Sequence, residues 1–210
     1  AYRQCISRIT DIHLCATDKN KNNLLSEGIR DRIYVVGNTV LDNLKEVEVS
    51  YNNEVLVTLH RRENHNLLKE WLSEIEKLAE DNKDLEFIIV SHPNPNVKLA
   101  LKNLQPNVKS IKPVGHKDFI NRMAKCRFLI TDSGGLQEEA SFLKKKAIVC
   151  RRTTERPEAL YTFTHLCKSP SNLTELFDSL KSNFIPKGKC PFGDGTTAQK
   201  INKLLLLGDL

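Results

Sequence analysis

Short apolar runs rich in β-branched residues alternate with longer amphipathic stretches between residues 54 and 182, and this alternation restricts the fold more than any other feature of the chain. Strands and helices in this rhythm make strand–helix–strand units, whose strands pair in parallel under a cover of helices. Strands are expected at Glu54 to Leu59, Leu85 to Val90, Val108 to Ile111, Arg127 to Thr131 and Ala147 to Cys150. Leu68, Trp71, Leu72, Ile75 and Leu78 fall at helical spacing, which predicts a helix over Leu67 to Asp81 with Trp71 in the core. Further helices fit His116 to Lys125, Leu136 to Leu143, Asn172 to Ser182 and Thr196 to Leu207. The expected class is α/β, a Rossmann-like parallel sheet with flanking helices.

The first 45 residues follow another plan. Ile9 to Ala16 reads as a strand, Thr17 as the cap of a helix over Asp18 to Ser26 that Gly28 ends, and Ile33 to Gly37 as a second strand. Val47 to Asn53 reads as a polar linker, so a domain boundary is expected near residues 38 to 53. Residues 1–45 would then be the tail of one domain plus a connector, and residues 46–210 a second domain. A length of 210 residues allows that, and 40% apolar with 28% charged residues is the composition of a globular protein. No apolar run nears the roughly 18 residues that cross a bilayer, and no apolar signal core opens the chain, so a cytoplasmic location is expected. The opening lacks Met and reads as mid-helix, as in a piece of a longer protein. The six cysteines are scattered without a C-x-x-C pair, which predicts reduced, mostly buried thiols and no metal site.

The 32 basic and 26 acidic residues leave a net charge of +6. The charge is spread out, and the one tight cluster, Lys144-Lys145-Lys146, reads as a solvated helix end. Few aromatic residues lie between basic ones to stack on bases, so neither nucleic acid nor membrane is an expected partner. A positive surplus does suit a ligand that carries phosphates.

In an open parallel sheet, ligands bind beyond the carboxyl ends of the strands, which singles out four segments. These are His60-Arg61-Arg62-Glu63-Asn64, Ser91-His92-Pro93-Asn94-Pro95-Asn96, Asp132-Ser133-Gly134-Gly135 and Arg151-Arg152-Thr153-Thr154-Glu155-Arg156. Ser133, Gly134 and Gly135 join a strand to a helix start, where free amides and the positive helix end favour an anion; a tight connection is the plainer reading. Glu138 and Glu139 lie about one turn in, suited to accept from ribose hydroxyls or simply to face solvent. His60 among cations can shuttle a proton near a phosphate or serve as a structural histidine. His92 is held between fixed turns, and Arg156 can reach a phosphate or join a salt-bridged loop. The common NTPase, dinucleotide and hydrolase motifs do not occur.

Taken in order, Gly37-Asn38-Thr39-Val40-Leu41-Asp42, Val57-Thr58-Leu59-His60-Arg61-Arg62-Glu63-Asn64, His92-Pro93-Asn94-Pro95-Asn96-Val97, residues Thr131 to Ala140, residues Thr153 to Ala159 and Pro191-Phe192-Gly193-Asp194-Gly195 resemble the non-hydrolysing UDP-N-acetylglucosamine 2-epimerases. The resemblance implies the C-terminal, UDP-binding half of a glycosyltransferase-B-like fold, acting in cell-envelope polysaccharide biosynthesis. It implies interconversion of UDP-N-acetylglucosamine and UDP-N-acetylmannosamine by elimination and re-addition of UDP, with no metal or redox cofactor. By position it makes His60 catalytic, Ser133, Gly134 and Gly135 the phosphate turn, Glu139 the ribose carboxylate, Phe119 the neighbour of the uracil and Arg156 a substrate contact. His92 would touch a second substrate molecule. The proton-moving acidic groups would belong to a missing N-terminal domain, so the chain alone is expected to bind UDP without turnover and the full-length protein to form a homodimer. Leu59, Val114, Arg152 and the lysine cluster depart from the family's usual residues. A non-catalytic UDP-sugar binding module or subunit is the alternative, and a related glycosyltransferase or UDP-sugar hydrolase a third.

Overall fold

The computed structural model describes residues 2–91, 104 and 106–206. The chain forms two compact units: Ala1–Glu46 with Cys190–Leu210, and Val47–Lys189. The final stretch, which the sequence reading assigns to the second domain, groups instead with the first unit, because its helix is anchored there.

In the first unit α1 (Tyr2–Ile9) leads to β1 (His13–Cys15), α2 (Asp18–Ser26) and β2 (Ile33–Val35), the two strands pairing in parallel. Ile9 ends a helix rather than opening a strand. Thr17 and Asn20 exchange side-chain and backbone hydrogen bonds as a capping box at the start of α2. The C-terminal helix, which we call α7 (Thr197–Leu206), is capped from a distance: Thr197 N and Ala198 N donate to the Asp42 carboxylate at 2.9 and 2.6 Å. Gly37, at φ +98°, lies so close to Gly193 and to the Phe192 carbonyl that a Cβ would sit 3.2 Å from each. Only glycine fits that joint.

The second unit holds a six-stranded sheet: β3 (Glu54–Thr58), β4 (Glu86–Val90), β5 (Val108–Ile111), β6 (Phe128–Thr131), β7 (Lys146–Cys150) and β8 (Thr164–Cys167). Their spatial order is β5-β4-β3-β6-β7-β8, and every pair is parallel. Among the described residues the α-helices of this unit are α3 (Leu68–Asp81), α4 (His116–Lys125), α5 (Gly134–Phe142) and α6 (Leu173–Lys181). Alternate strand residues serve opposite faces: Val55, Val57, Phe87, Phe128 and Ile130 join Trp71, Ile75 and Phe177 in one core cluster, while Leu56, Ile88 and Leu129 are equally buried on the other side. The strand order reverses direction between β3 and β6, which is the switch point where such sheets open a crevice at their carboxyl ends.

The lysine cluster is not a solvated helix end. Lys145 is fully buried and Lys146 is 6% exposed. The Lys145 ammonium donates to the Ser50 and Cys126 carbonyls and stands 3.6 Å from the centre of the Tyr51 ring. It therefore ties the lead-in to β3 to the end of α4. Burial pulls the Lys145 ammonium down to about 8, the nearby Cys126 thiol acting in the opposite direction.

Candidate functional site

At the switch point the two central strands end side by side. Thr58 and Thr131 are register partners whose hydroxyls meet at 2.7 Å, and the next residue, Asp132, is wholly buried. Its carboxylate accepts from His60 N and Arg61 N at 3.0 and 2.9 Å and from the Asn64 side-chain amide at 3.0 Å. The same Asn64 amide donates to the Cys150 carbonyl at 2.9 Å, so one buried anion and one amide hold together the chain ends leaving β3, β6 and β7. Buried charge is tolerated here because its lone pairs are filled. Nδ1 of His60 lies 3.6 Å from the Asp132 carboxylate, and its ring stays 43% exposed at the crevice.

Ser133 is the N-cap of α5 but its side chain makes no capping hydrogen bond, and Gly134 and Gly135 form the first turn without an acidic side chain. The helix begins at Gly134, two residues earlier than the periodicity suggests, because glycines carry no apolar side chain to mark the helical period. Around Gly135 no atom lies within 4 Å of where a Cβ would be; at Gly134 a Cβ would run into the carboxylate of Glu155. That carboxylate is the focus of three guanidinium groups: Arg151 at 2.6 Å, Arg61 at 3.6 Å and Arg156 at 3.7 Å. Burial pushes the Glu155 carboxyl up, but its hydrogen bonds and the charges of Arg151 and Arg156 outweigh this and hold it below the ordinary carboxylate range. The chain thus sets one of its own anions at the amino end of α5, where the helix dipole and free amides favour negative charge.

On the next turn Glu138 and Glu139 are both 4% exposed rather than solvent-facing. Arg156 Nε donates to Glu138, and His116 Nε2 lies 2.8 Å from Glu139 Oε1. Burial raises the Glu139 carboxyl above its usual range, the hydrogen bond and charge of His116 pull it back, and Glu138 adds to the rise. Gln137 joins the second layer, its amide donating to the Ser133 carbonyl and its oxygen accepting from Thr154. Phe119 is buried on α4, one turn after His116.

Of the residues singled out in the sequence, His60, Ser133, Gly134, Gly135, Glu139 and Arg156 all lie about the ends of β3, β6 and β7, with Phe119 on the adjoining helix. His92 lies outside the described residues. Sequence reasoning gave no role to Asp132, Asn64, Arg151, Glu155 or His116. Asp132 and Arg151 do follow strand ends, a usable signal, whereas the pairing of His116 with Glu139 spans 23 residues and leaves no local trace.

A sequence profile of the family described as UDP-N-acetylglucosamine 2-epimerase matches residues 1–206. A UDP-N-acetylglucosamine 2-epimerase of Campylobacter jejuni is 33% identical over 252 residues, covering 99% of this chain and 63% of that protein. The crystal structure of UDP-GlcNAc 2-epimerase from Neisseria meningitidis bound to UDP-GlcNAc matches with a TM-score of 0.81 and 32% identity, over 96% of this chain and 62% of that one. The wall teichoic acid polymerase TagF, 14% identical with a TM-score of 0.54, is alike in fold alone. The sheet is of the glycosyltransferase-B-like class. The chain spans a little over three-fifths of the length of the curated relatives it matches.

Proposed function

Because this chain belongs to the UDP-N-acetylglucosamine 2-epimerase family, we propose that it supplies the nucleotide-holding part of an enzyme that interconverts UDP-N-acetylglucosamine and UDP-N-acetylmannosamine. One observation carries the reading. The first turn of α5 and three guanidinium groups converge on a single anion position at the switch point of the sheet. A diphosphate needs that combination of backbone donors and cations.

In this reading the diphosphate takes the place of the Glu155 carboxylate, with the amides of Gly134 and Gly135 and the Ser133 hydroxyl as donors. Arg156 neutralises developing charge when the bond from the sugar's first carbon to the diphosphate oxygen breaks. His60, kept in place by the grip of Asp132 on its backbone, stands beside the departing phosphate and holds or returns a proton there. Glu139 accepts from the ribose hydroxyls, and Phe119 lies beside the uracil. The groups that remove and return the proton at the sugar's second carbon are assigned to the part of the relatives' length this chain does not span. With them come an N-terminal domain, a homodimer and a second substrate molecule near His92. A reducing compartment such as the cytoplasm belongs to the reading, which the buried thiols of Cys15, Cys126, Cys150 and Cys167 support.

UDP titration by calorimetry on the wild type and on Ser133→Trp, which fills the phosphate turn, tests the site: binding should be lost in the variant, and equal affinity in both sinks the assignment. Mixing the chain with a separately produced N-terminal part and following UDP-N-acetylmannosamine tests the activity. A binding-only subunit is the second reading, since the described anion position needs no further part of the relatives to hold a diphosphate. Absence of turnover with a partner domain that completes the fold would favour it, and free N-acetylmannosamine with UDP as sole products would point to a hydrolase.

A further inference from the structure

The contact between His116 and Glu139 deserves a functional account because stability offers little reason for it. His116 opens α4, the end at which a helix dipole disfavours positive charge, and its side chain is 62% exposed. Lys117 adds to that unfavourable field and Asp118, in the same first turn, offsets it. The partner is the opposite kind of group: the Glu139 side chain is 6% exposed. The two buried carboxylates of α5 meet basic side chains from different elements, Glu138 meeting Arg156 from residues 151–156 and Glu139 meeting His116 from α4.

The bond uses one carboxylate oxygen only. Oε1 of Glu139 faces His116 Nε2 at 2.8 Å, and Oε2 carries no hydrogen bond from the described residues. A Glu side chain has three rotatable bonds, so without a second anchor its free oxygen would sample several directions. Anchoring Oε1 leaves Oε2 pointing one way. Phe119 follows His116 by one helical turn on the same side of α4, so a single helix carries both the anchor of Glu139 and the residue assigned to the base.

We propose that His116 is a positioning residue for nucleoside recognition: it fixes the Glu139 carboxylate so that the free oxygen accepts from a ribose hydroxyl, and it thereby sets the preference for ribonucleotides over 2′-deoxyribonucleotides. The inference rests on the assignment of Glu139 to the ribose in the proposed function. A hydrogen bond to a charged group contributes about 1.5–3 kcal/mol, which is a preference of about ten- to 150-fold.

The test is calorimetric titration with UDP and with 2′-deoxy-UDP. The wild type should prefer UDP by about tenfold or more. His116→Leu should reduce that preference to about threefold or less while leaving affinity for 2′-deoxy-UDP nearly unchanged, a pattern that general loosening of the fold would not give. His116→Gln, whose amide can still reach and donate, should restore most of the preference; His116→Asn, polar but too short, should behave like the leucine variant. Glu139→Gln should lose the preference whatever stands at 116. Retention of the wild-type preference in both the leucine and asparagine variants, with loss in Glu139→Gln, overturns the role of His116 and leaves the ribose assignment standing. If Glu139→Gln also keeps the preference, or the wild type has none, the ribose assignment itself fails and the inference with it.

Discussion

The Asp132 carboxylate, wholly buried and accepting from two backbone amides and the Asn64 amide, makes a single side chain the keystone of the crevice. Asp132→Ala leaves those donors unsatisfied, and we expect a loss of roughly 2–4 kcal/mol in urea denaturation together with weaker UDP binding, because the loop bearing His60 is released. Glu155 gives a prediction of the other sign. Its carboxylate competes for the place assigned to the diphosphate, so Glu155→Gln should tighten UDP binding by roughly three- to tenfold in calorimetry, about 1 kcal/mol. Unchanged or weaker binding would mean the carboxylate does not compete. Ser133, Gly134, Gly135, His60 and Arg156 could be singled out because each follows a strand, where a parallel sheet exposes its carboxyl ends. Glu155 and His116 could not, since what matters in each is which distant side chain it meets.

Among the elements, α3 is the one its sequence describes best: Leu68, Trp71, Leu72, Ile75 and Leu78 are all buried on one face, packed with Phe177 of α6 and the sheet. Trp71 Nε1 is buried without a hydrogen bond among the described residues. Trp71→Phe should therefore cost little, whereas Trp71→Ala should cost roughly 3–5 kcal/mol by differential scanning calorimetry. β8 is the element sequence reading missed. Only Leu166 and Cys167 of its four residues are apolar, it is an edge strand, and it begins after Tyr161 at φ +67°, so neither alternation nor length announces it. The lysine cluster failed for a related reason. Three consecutive lysines read as solvated on any local scale, yet the turn through Lys144 at φ +56° directs Lys145 inward to two waiting carbonyls. Such a lysine is satisfied only by partners that are distant in sequence.

For the molecule as a whole, the buried thiols dictate the response to alkali. Burial pushes Cys126 up to about 12, Cys167 to about 11 and Cys150 well above the ordinary thiol range. Folded values above unfolded ones mean that their stabilising share is complete below about pH 9 and is lost as the pH rises toward 11–12, since only the unfolded thiols ionise there. Lys145 acts oppositely: its folded value near 8 lies below the unfolded one, so its contribution improves as the pH rises from about 8 to 10.5. At about 1.4 kcal/mol per pH unit each, Cys126 and Cys167 together outweigh the one lysine and Cys150 acts in the same direction, so stability should fall by at least about 2 kcal/mol from pH 9 to 11. Denaturant midpoints across that range would show it, and Cys126→Ala should flatten the fall by about half or more.

The sequence by itself determined the α/β class, the helical face of Trp71, the strand ends from which binding residues project and the family that their order resembles. These are properties of local period and of ordered motifs, which survive without knowledge of neighbours. Only the tertiary structure decided that the strand order reverses between β3 and β6, that residues 190–210 group with the first 46, that Lys145 is buried, that Glu155 occupies the anion position and that His116 holds Glu139. Each of these depends on pairs far apart in the chain. Their free energy exists only once the sheet has brought them together, so no local pattern in the sequence encodes them.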